Sequence, residues 1–246
     1  MFADRELGAE NSTSFELRKW YLDCVDAEGN AAIAYWARLR WRYINLYYRT
    51  VAINGVDRRC SELEWRESVS MEASAPPIRR RLFEGADGIV DWWCEMPRAK
   101  ARIGNVRGDG YAELLRMTVP PWKLPIDELR WGRFIGGGTS VVWIEWRGPA
   151  PQKLVFVDGA ATDAVVCDDR VELTNVGRAS ARPDGLNPVL HFGPARVIAD
   201  RTIGDALPLL KWLFPRRIRN ARERKWCSRA TLGEVGGWAI HEVVSF

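Results

Sequence analysis

Carboxyl groups set among large rings are the side chains here with the clearest capacity for chemistry. Asp91 precedes Trp92 and Trp93, Glu113 follows Tyr111 by two positions, and Glu145 lies between Trp143 and Trp146. Asp23, near Trp20 and Tyr21, is a weaker fourth. Rings strip water from a carboxyl group, which disfavours its charged form and raises its pKa. A carboxylic acid that keeps its proton at neutral pH is a general acid. Alternation along a strand turns such a group to water as readily as to an interior, and a buried one can simply pair with an arginine such as Arg133 or Arg147.

Other chemistries find little support. His191 and His241 are the only histidines, far apart and each in a strand-like segment, with no cysteine or carboxylate at ligand spacing, so no metal site is expected. GRFIGGGTS resembles a phosphate cradle only superficially, because a strand pattern follows it where a helix is needed. No cofactor is expected. Cys24, Cys60, Cys94, Cys167 and Cys227 are scattered and odd in number, which reads as reduced, buried thiols.

The elements that must carry the carboxyls read as strands. The chain of 246 residues holds 13 Trp, 8 Phe and 6 Tyr, residues suited to pleated surfaces and apolar pockets. FELRKWYLDCVD and AAIAYWARLRWRYINLYY flank a Gly29-containing turn and describe a long antiparallel hairpin. LEWRESVSME, IVDWWCEM, AKARIG and GYAELLRMTV follow as shorter strands, cut by Pro76-Pro77, Asp87-Gly88, Pro97 and Asp109-Gly110. PPWKLP at 120–125 cannot supply the hydrogen bonds of a central strand, which places a boundary between an N-terminal domain at 12–122 and a C-terminal domain at 123–246. In SVVWIEWRG both faces are partly apolar, as in a strand shared between a cavity and an inter-domain contact. IGDALPLLKWLFP is the best short helix, and GGWAIHEVVSF reads as a closing strand. The expected class is mainly β, two consecutive antiparallel barrels or sandwiches with one short helix in the C-terminal half.

Charge and termini bound the partners. With 36 Lys and Arg against 32 Asp and Glu the net charge is +4, too mild to point to nucleic acid. The basic run Arg216–Lys225 reads as a solvated face, with peripheral membrane contact or an anionic ligand as the alternative. The first residues, MFADRELGAENSTS, lack the basic-then-apolar order of a secretory leader, and no apolar run approaches the ~18 residues of a spanning helix, so a soluble, cytoplasmic protein is expected. The sequence assigns no oligomeric state.

The stretch Gly108–Gly148 resembles the central signature of the hydroxyneurosporene synthase (carotenoid 1,2-hydratase) and AttH-like superfamily. Gly108, Gly110 and Tyr111 match its Gly-x-Gly-Tyr piece, and Trp131, Gly132 and Arg133 its Trp-Gly-Arg strand. Where many relatives continue Gly-Tyr with Asp-His-Asn-Trp-Gly, this chain has Ala112, Glu113, Leu114, Leu115 and Arg116, so that Glu113 alone takes the acidic position. The resemblance implies two lipocalin-like domains and an apolar isoprenoid- or carotenoid-like ligand, with cofactor-independent hydratase or cyclase chemistry on C=C bonds. Such chemistry needs a proton donor, an aromatic wall for the cation and a carboxylate to direct water. Glu113, Glu145 and Asp91 are the candidate catalytic groups, and Trp92, Trp93, Tyr111, Trp131, Arg133 and Trp143 the candidate ligand wall. A carrier that holds the ligand without reaction, and a structural module whose barrels are filled by their own side chains, are the rival readings.

Overall fold

The structure, a computed structural model, describes residues 15–174, 188–206, 212 and 214–246. Eight strands come first: β1 (Phe15–Val25), β2 (Ala31–Trp41), β3 (Ile44–Ile53), β4 (Val56–Arg59), β5 (Val69–Ala73), β6 (Ile78–Gly85), β7 (Gly88–Ile103) and β8 (Val106–Met117), with helix α1 (Glu62–Ser68) before β5. They form one antiparallel sheet in the order β4-β3-β2-β1-β8-β7-β5, and β6 pairs with the other stretch of the long β7. After a 3-10 turn at Pro121–Lys123 come β9 (Glu128–Gly136), β10 (Thr139–Arg147), β11 (Gln152–Val157), β12 (Ala160–Val166), β13 (Arg170–Thr174), β14 (Val189–Thr202), β15 (Arg222–Leu232) and β16 (Val235–Ser245). These eight close into a barrel, because β16 pairs with both β15 and β9. The fold is mainly antiparallel β, in two consecutive sheets, as the alternation and turn spacing predict.

Period-2 alternation sorts the residues of each strand onto two faces. On β1, Leu22 and Cys24 pack with Ala32, Ala34, Trp65, Met71, Met96 and Ile103 into the interior of the first half. Tyr21 and Val25 face the other way and join Trp131, Ile135 and Ile240 on the outer wall of the barrel. On β10, Val141 and Trp143 point into the barrel, while Val142, Ile144 and Trp146 belong to the layer between the halves. This is the two-sided role read from SVVWIEWRG.

Four local expectations are corrected. The second arm of the first hairpin is two strands, since Arg42 takes φ +53° and a tight turn at Arg42-Tyr43 reverses the chain. LEWRESVSME does not form one strand, because Ser61 and Glu64 make a reciprocal capping box that starts α1 and buries Trp65. Pro97 does not separate two strands: it falls in a bulge of the continuous β7, between Met96 and Ala99, where the ladder needs no donor. More than one helix is present, α1 in the first half and α2 (Ile203–Ala206) and α3 (Arg216–Asn220) in the second. Residues 207–211 and 213 of the expected helix, 175–177 and the N-terminal 1–14 lie outside the described residues.

Candidate functional site

Two sites emerge, one on each side of the barrel wall. The first is a polar cluster between the sheet and the barrel. On β8, the side chains of Tyr111 and Glu113 project toward β9. Trp92 Nε1, Tyr111 OH and Trp131 Nε1 donate to one oxygen of Glu113, Oε2, at 2.5, 2.7 and 3.1 Å. No hydrogen bond ends on Oε1 among the described residues. Burial pushes the Glu113 carboxyl above its ordinary range, against the opposing pull of the Trp92 hydrogen bond, the Lys19 charge and Tyr111. Burial also pushes up the Tyr111 phenol, with the Cys94 and Glu113 charges adding to it.

Beside Glu113 lies an ion pair sealed from water. Arg133 and Asp23 are both 0 % exposed. The Arg133 Nη2 group donates to Asp23 Oδ1 at 2.5 Å, its Nη1 to the Trp238 carbonyl at 2.8 Å, and Tyr21 OH to Asp23 Oδ2 at 3.0 Å. A second buried cation, Lys225, donates to Tyr35 OH at 2.7 Å and pairs with Glu242 at 2.7 Å and Glu223 at 3.4 Å. Its ammonium sits 4.6 Å from the Tyr21 ring centroid and 5.8 Å from that of Trp131. Burial alone would push Lys225 down, but Glu242, Tyr35 and Glu223 together hold it above its ordinary value. Burial likewise opposes ionisation of Glu223, yet Lys225, Arg201 and Lys19 bring it to about 2. Charges this deep are tolerated only when paired and hydrogen-bonded, which the cluster achieves.

The second site is a cavity of about 640 Å3 inside the barrel. Four rings stack along it. Trp143 lies 5.6 Å from Phe192 at 20°, Phe192 lies 4.5 Å from His241 at 15°, and His241 lies 5.3 Å from Trp226 at 21°. Trp226 and His241 are register partners on β15 and β16. Gly132 makes room for the ladder, since a Cβ there would lie 2.1 Å from the Trp143 ring. Ser228 Oγ, fully buried, is 2.9 Å from His241 Nε2. Burial pushes the His241 imidazole down to about 4, so it is neutral at pH 7. Arg130, Asp168, Asp169, Arg222 and Arg224 also line this cavity.

The sequence-derived candidates divide among these places. Glu113, Trp92, Tyr111, Trp131 and Arg133 come together in the inter-sheet cluster, and Trp143 lines the barrel cavity. Asp91 is elsewhere, paired with Arg81 at 2.8 Å. Glu145 pairs with Arg147 at 2.8 Å, in a chain of ion pairs through Glu128 to Arg130. Trp93 stacks under the Arg79 guanidinium, 5.5 Å from its centroid, away from Glu113. The basic run is mixed: Lys225 and Ile218 are buried, and Arg222 pairs with Asp200 at 2.8 Å. Sequence reasoning missed Ser228, Phe192 and Trp226, and gave His241 no role in a site. Their only signal was alternation within strands whose partners are not legible from one segment. Among the described residues no group of side chains is arranged to hold a metal ion, all five cysteines are free, and no helix is long and apolar enough to cross a membrane.

No protein-family model and no curated protein matches the chain. Solved structures do. An AttH-like structure from Nitrosomonas europaea aligns at 11% identity over 97% of this chain and 94% of that one, with a TM-score of 0.55. The structure of CghA with Sch210972 aligns at 10% identity over 95% of this chain and 89% of that one, with a TM-score of 0.52. At such identity the likeness establishes the fold alone, one shared with the structures that the resemblance of Gly108–Gly148 leads one to expect.

Proposed function

We propose that the protein binds an apolar, flat small molecule of isoprenoid-like or polyene character in the cavity of its second barrel. The observation that carries this reading is the ladder Trp143, Phe192, His241 and Trp226 on the wall of a cavity of about 640 Å3, the size of a small-molecule site. A run of parallel rings suits a flat conjugated ligand. The fold supports the reading, in that CghA is seen with Sch210972. Retinol, a conjugated isoprenoid, is the test ligand. It is expected to quench tryptophan emission saturably at one site per chain, and Val243→Trp, which fills the cavity, is expected to abolish the quenching with an unchanged circular dichroism spectrum. Non-saturable quenching, or quenching indifferent to Val243→Trp, refutes the proposal.

A second reading, acid-catalysed hydration or cyclisation of a C=C bond, is favoured by Glu113. Three donors on Oε2 fix this carboxyl while burial favours its protonated form, the state a proton donor needs. Trp131 sits in the wall between the two sites: its indole Nε1 reaches Glu113 on the outer side, and its strand neighbour Arg130 lines the cavity on the inner side. Glu113→Gln keeps the shape and the acceptor but removes the acidic proton. On this reading it abolishes turnover of a bound polyene and leaves retinol binding intact; equal loss of both, or of neither, rejects the catalytic role.

A further inference from the structure

The polar groups of the barrel cavity are unevenly placed, and their placement narrows the ligand. Of the acidic groups, Asp168 and Asp169 stand at its mouth, with side chains 85% and 69% exposed, and Glu242 is held by Lys225 at 2.7 Å. The cationic ones are engaged: Arg130 with Glu128 and Asp168, and Arg222 and Arg224 with Asp200. With Ser245 exposed, the fully buried Ser228 and the ring-sandwiched His241 form the buried uncharged pair of the lining. Its imidazole stays neutral because burial holds it down at about 4.

The Ser228–His241 pair offers a ligand one donor and one acceptor whichever tautomer is present. If the serine hydroxyl donates to Nε2, Nδ1 carries the hydrogen and Oγ keeps its lone pairs. If Nε2–H donates to Oγ, the hydroxyl hydrogen is free and Nδ1 accepts. A hydroxyl group, itself donor and acceptor, matches either state. A carboxylate at this depth would need a cation beside it and an ammonium an anion, and Ser228 and His241 supply neither; Arg222 and Arg224, which share Asp200, are about half exposed.

We propose that this cavity, taken as the ligand site argued above, selects flat conjugated molecules bearing an un-ionised hydroxyl, phenolic or enolic, with the ring system along the Trp143–Phe192–His241–Trp226 ladder and the hydroxyl on Ser228 and His241. The selectivity resides in Ser228, which is not a rung of the ladder, and in His241, which is.

Titration of the full chain at neutral pH with naphthalene, 2-methoxynaphthalene and 2-naphthol, followed by tryptophan quenching, tests this. The naphthol is expected to bind about tenfold more tightly than the other two, the effect of one net hydrogen-bonded contact. Ser228→Ala is expected to bring the three ligands within about twofold while naphthalene affinity is retained, and His241→Phe, which keeps a ring in the stack, to bring the three within about twofold of one another. Should His241→Phe fail to fold, Ser228→Ala decides alone. Equal affinities in the unaltered protein, or a naphthol preference that survives Ser228→Ala, overturn the hydroxyl assignment and leave the ligand site standing. Failure of all three to bind overturns both.

Discussion

The two faces of the barrel wall make opposite use of polar groups. The outer face, against the first sheet, buries Arg133, Asp23, Lys225 and Glu113, and each is tied to two or more partners. The inner face buries one neutral pair, Ser228 and His241, and leaves open volume beside it. The interior of the first half differs again, filled by Leu22, Met71, Met96, Ile103 and Trp65. Where charges are saturated and side chains interdigitate, the molecule is closed; where a neutral polar pair borders a void, there is room for the ligand proposed above. The interior of the first half is filled by its own side chains, and the barrel keeps a cavity of about 640 Å3.

The largest expected effect breaks the sealed side of this contrast. Arg133→Met leaves Asp23 in a fully buried site with Tyr21 as its remaining side-chain donor. Removing one member of such a pair costs about 3–5 kcal/mol, whereas Asp23→Leu combined with Arg133→Met is expected to recover most of that loss. Urea unfolding of the two single variants and the double variant checks it. Additive losses would mean that the two side chains do not act as a pair.

Truncation compares filled with open. Leu22, 0% exposed, has no void to absorb its loss, so Leu22→Ala is expected to cost about 2–5 kcal/mol. Val243 is half-buried on the cavity wall, and Val243→Ala is expected to cost about 1 kcal/mol or less. Equal costs in urea unfolding would show the cavity wall to be packed as tightly as the first interior.

Acid titration separates the two sites by sign. His241 is neutral in the fold down to about pH 4, against an ordinary value of 6.5, so the unfolded chain binds more protons between those pH values. Its contribution to stability is intact above pH 6.5 and is lost as pH falls toward 4, with a slope of at most ~1.4 kcal/mol per pH unit. Glu113 acts oppositely. Its folded carboxyl is raised above 4.5, so the fold binds the extra proton just above that pH and gains stability on acidification. Stability curves from pH 4 to 6.5 are expected to lose their His-linked fall in His241→Phe and to steepen in Glu113→Gln. The reverse pattern would exchange the environments assigned to the two groups.

Legibility in the sequence followed range along the chain. The strands, the closing role of GGWAIHEVVSF and the two faces of SVVWIEWRG were written in local alternation, and Trp92, Tyr111 and Glu113 meet because β7 and β8 are neighbouring strands of one sheet. Helix α1 was also locally written, in Ser61 and Glu64, but the β-rich Val69-Ser70-Met71 after it suggested a strand over the whole stretch. What was not legible depends on pairing. Arg133 finds Asp23 across 110 residues, and Ser228 meets His241 only once the register sets Trp226 opposite His241 and Ser228 opposite Ala239. A bulge that absorbs Pro97, and another between Phe192 and Ala195, likewise require the partner strand to be known.

The smallest effect concerns the candidates that lie outside both sites. Asp91 is nearly buried, but its partner Arg81 is 46% exposed and also serves Glu84. A pair open to solvent on one side is screened and worth about 0–1 kcal/mol, so Asp91→Asn is expected to shift the urea midpoint only slightly. Glu145 has Arg147, which Glu128 would continue to hold after Glu145→Gln. Both variants are expected to bind retinol with unchanged affinity, because neither residue reaches the ladder or the Glu113 donors. A several-fold loss of affinity in either would extend the ligand site beyond the barrel cavity, and for Glu145 would make the ion-pair chain through Arg130 part of the mouth that admits the ligand.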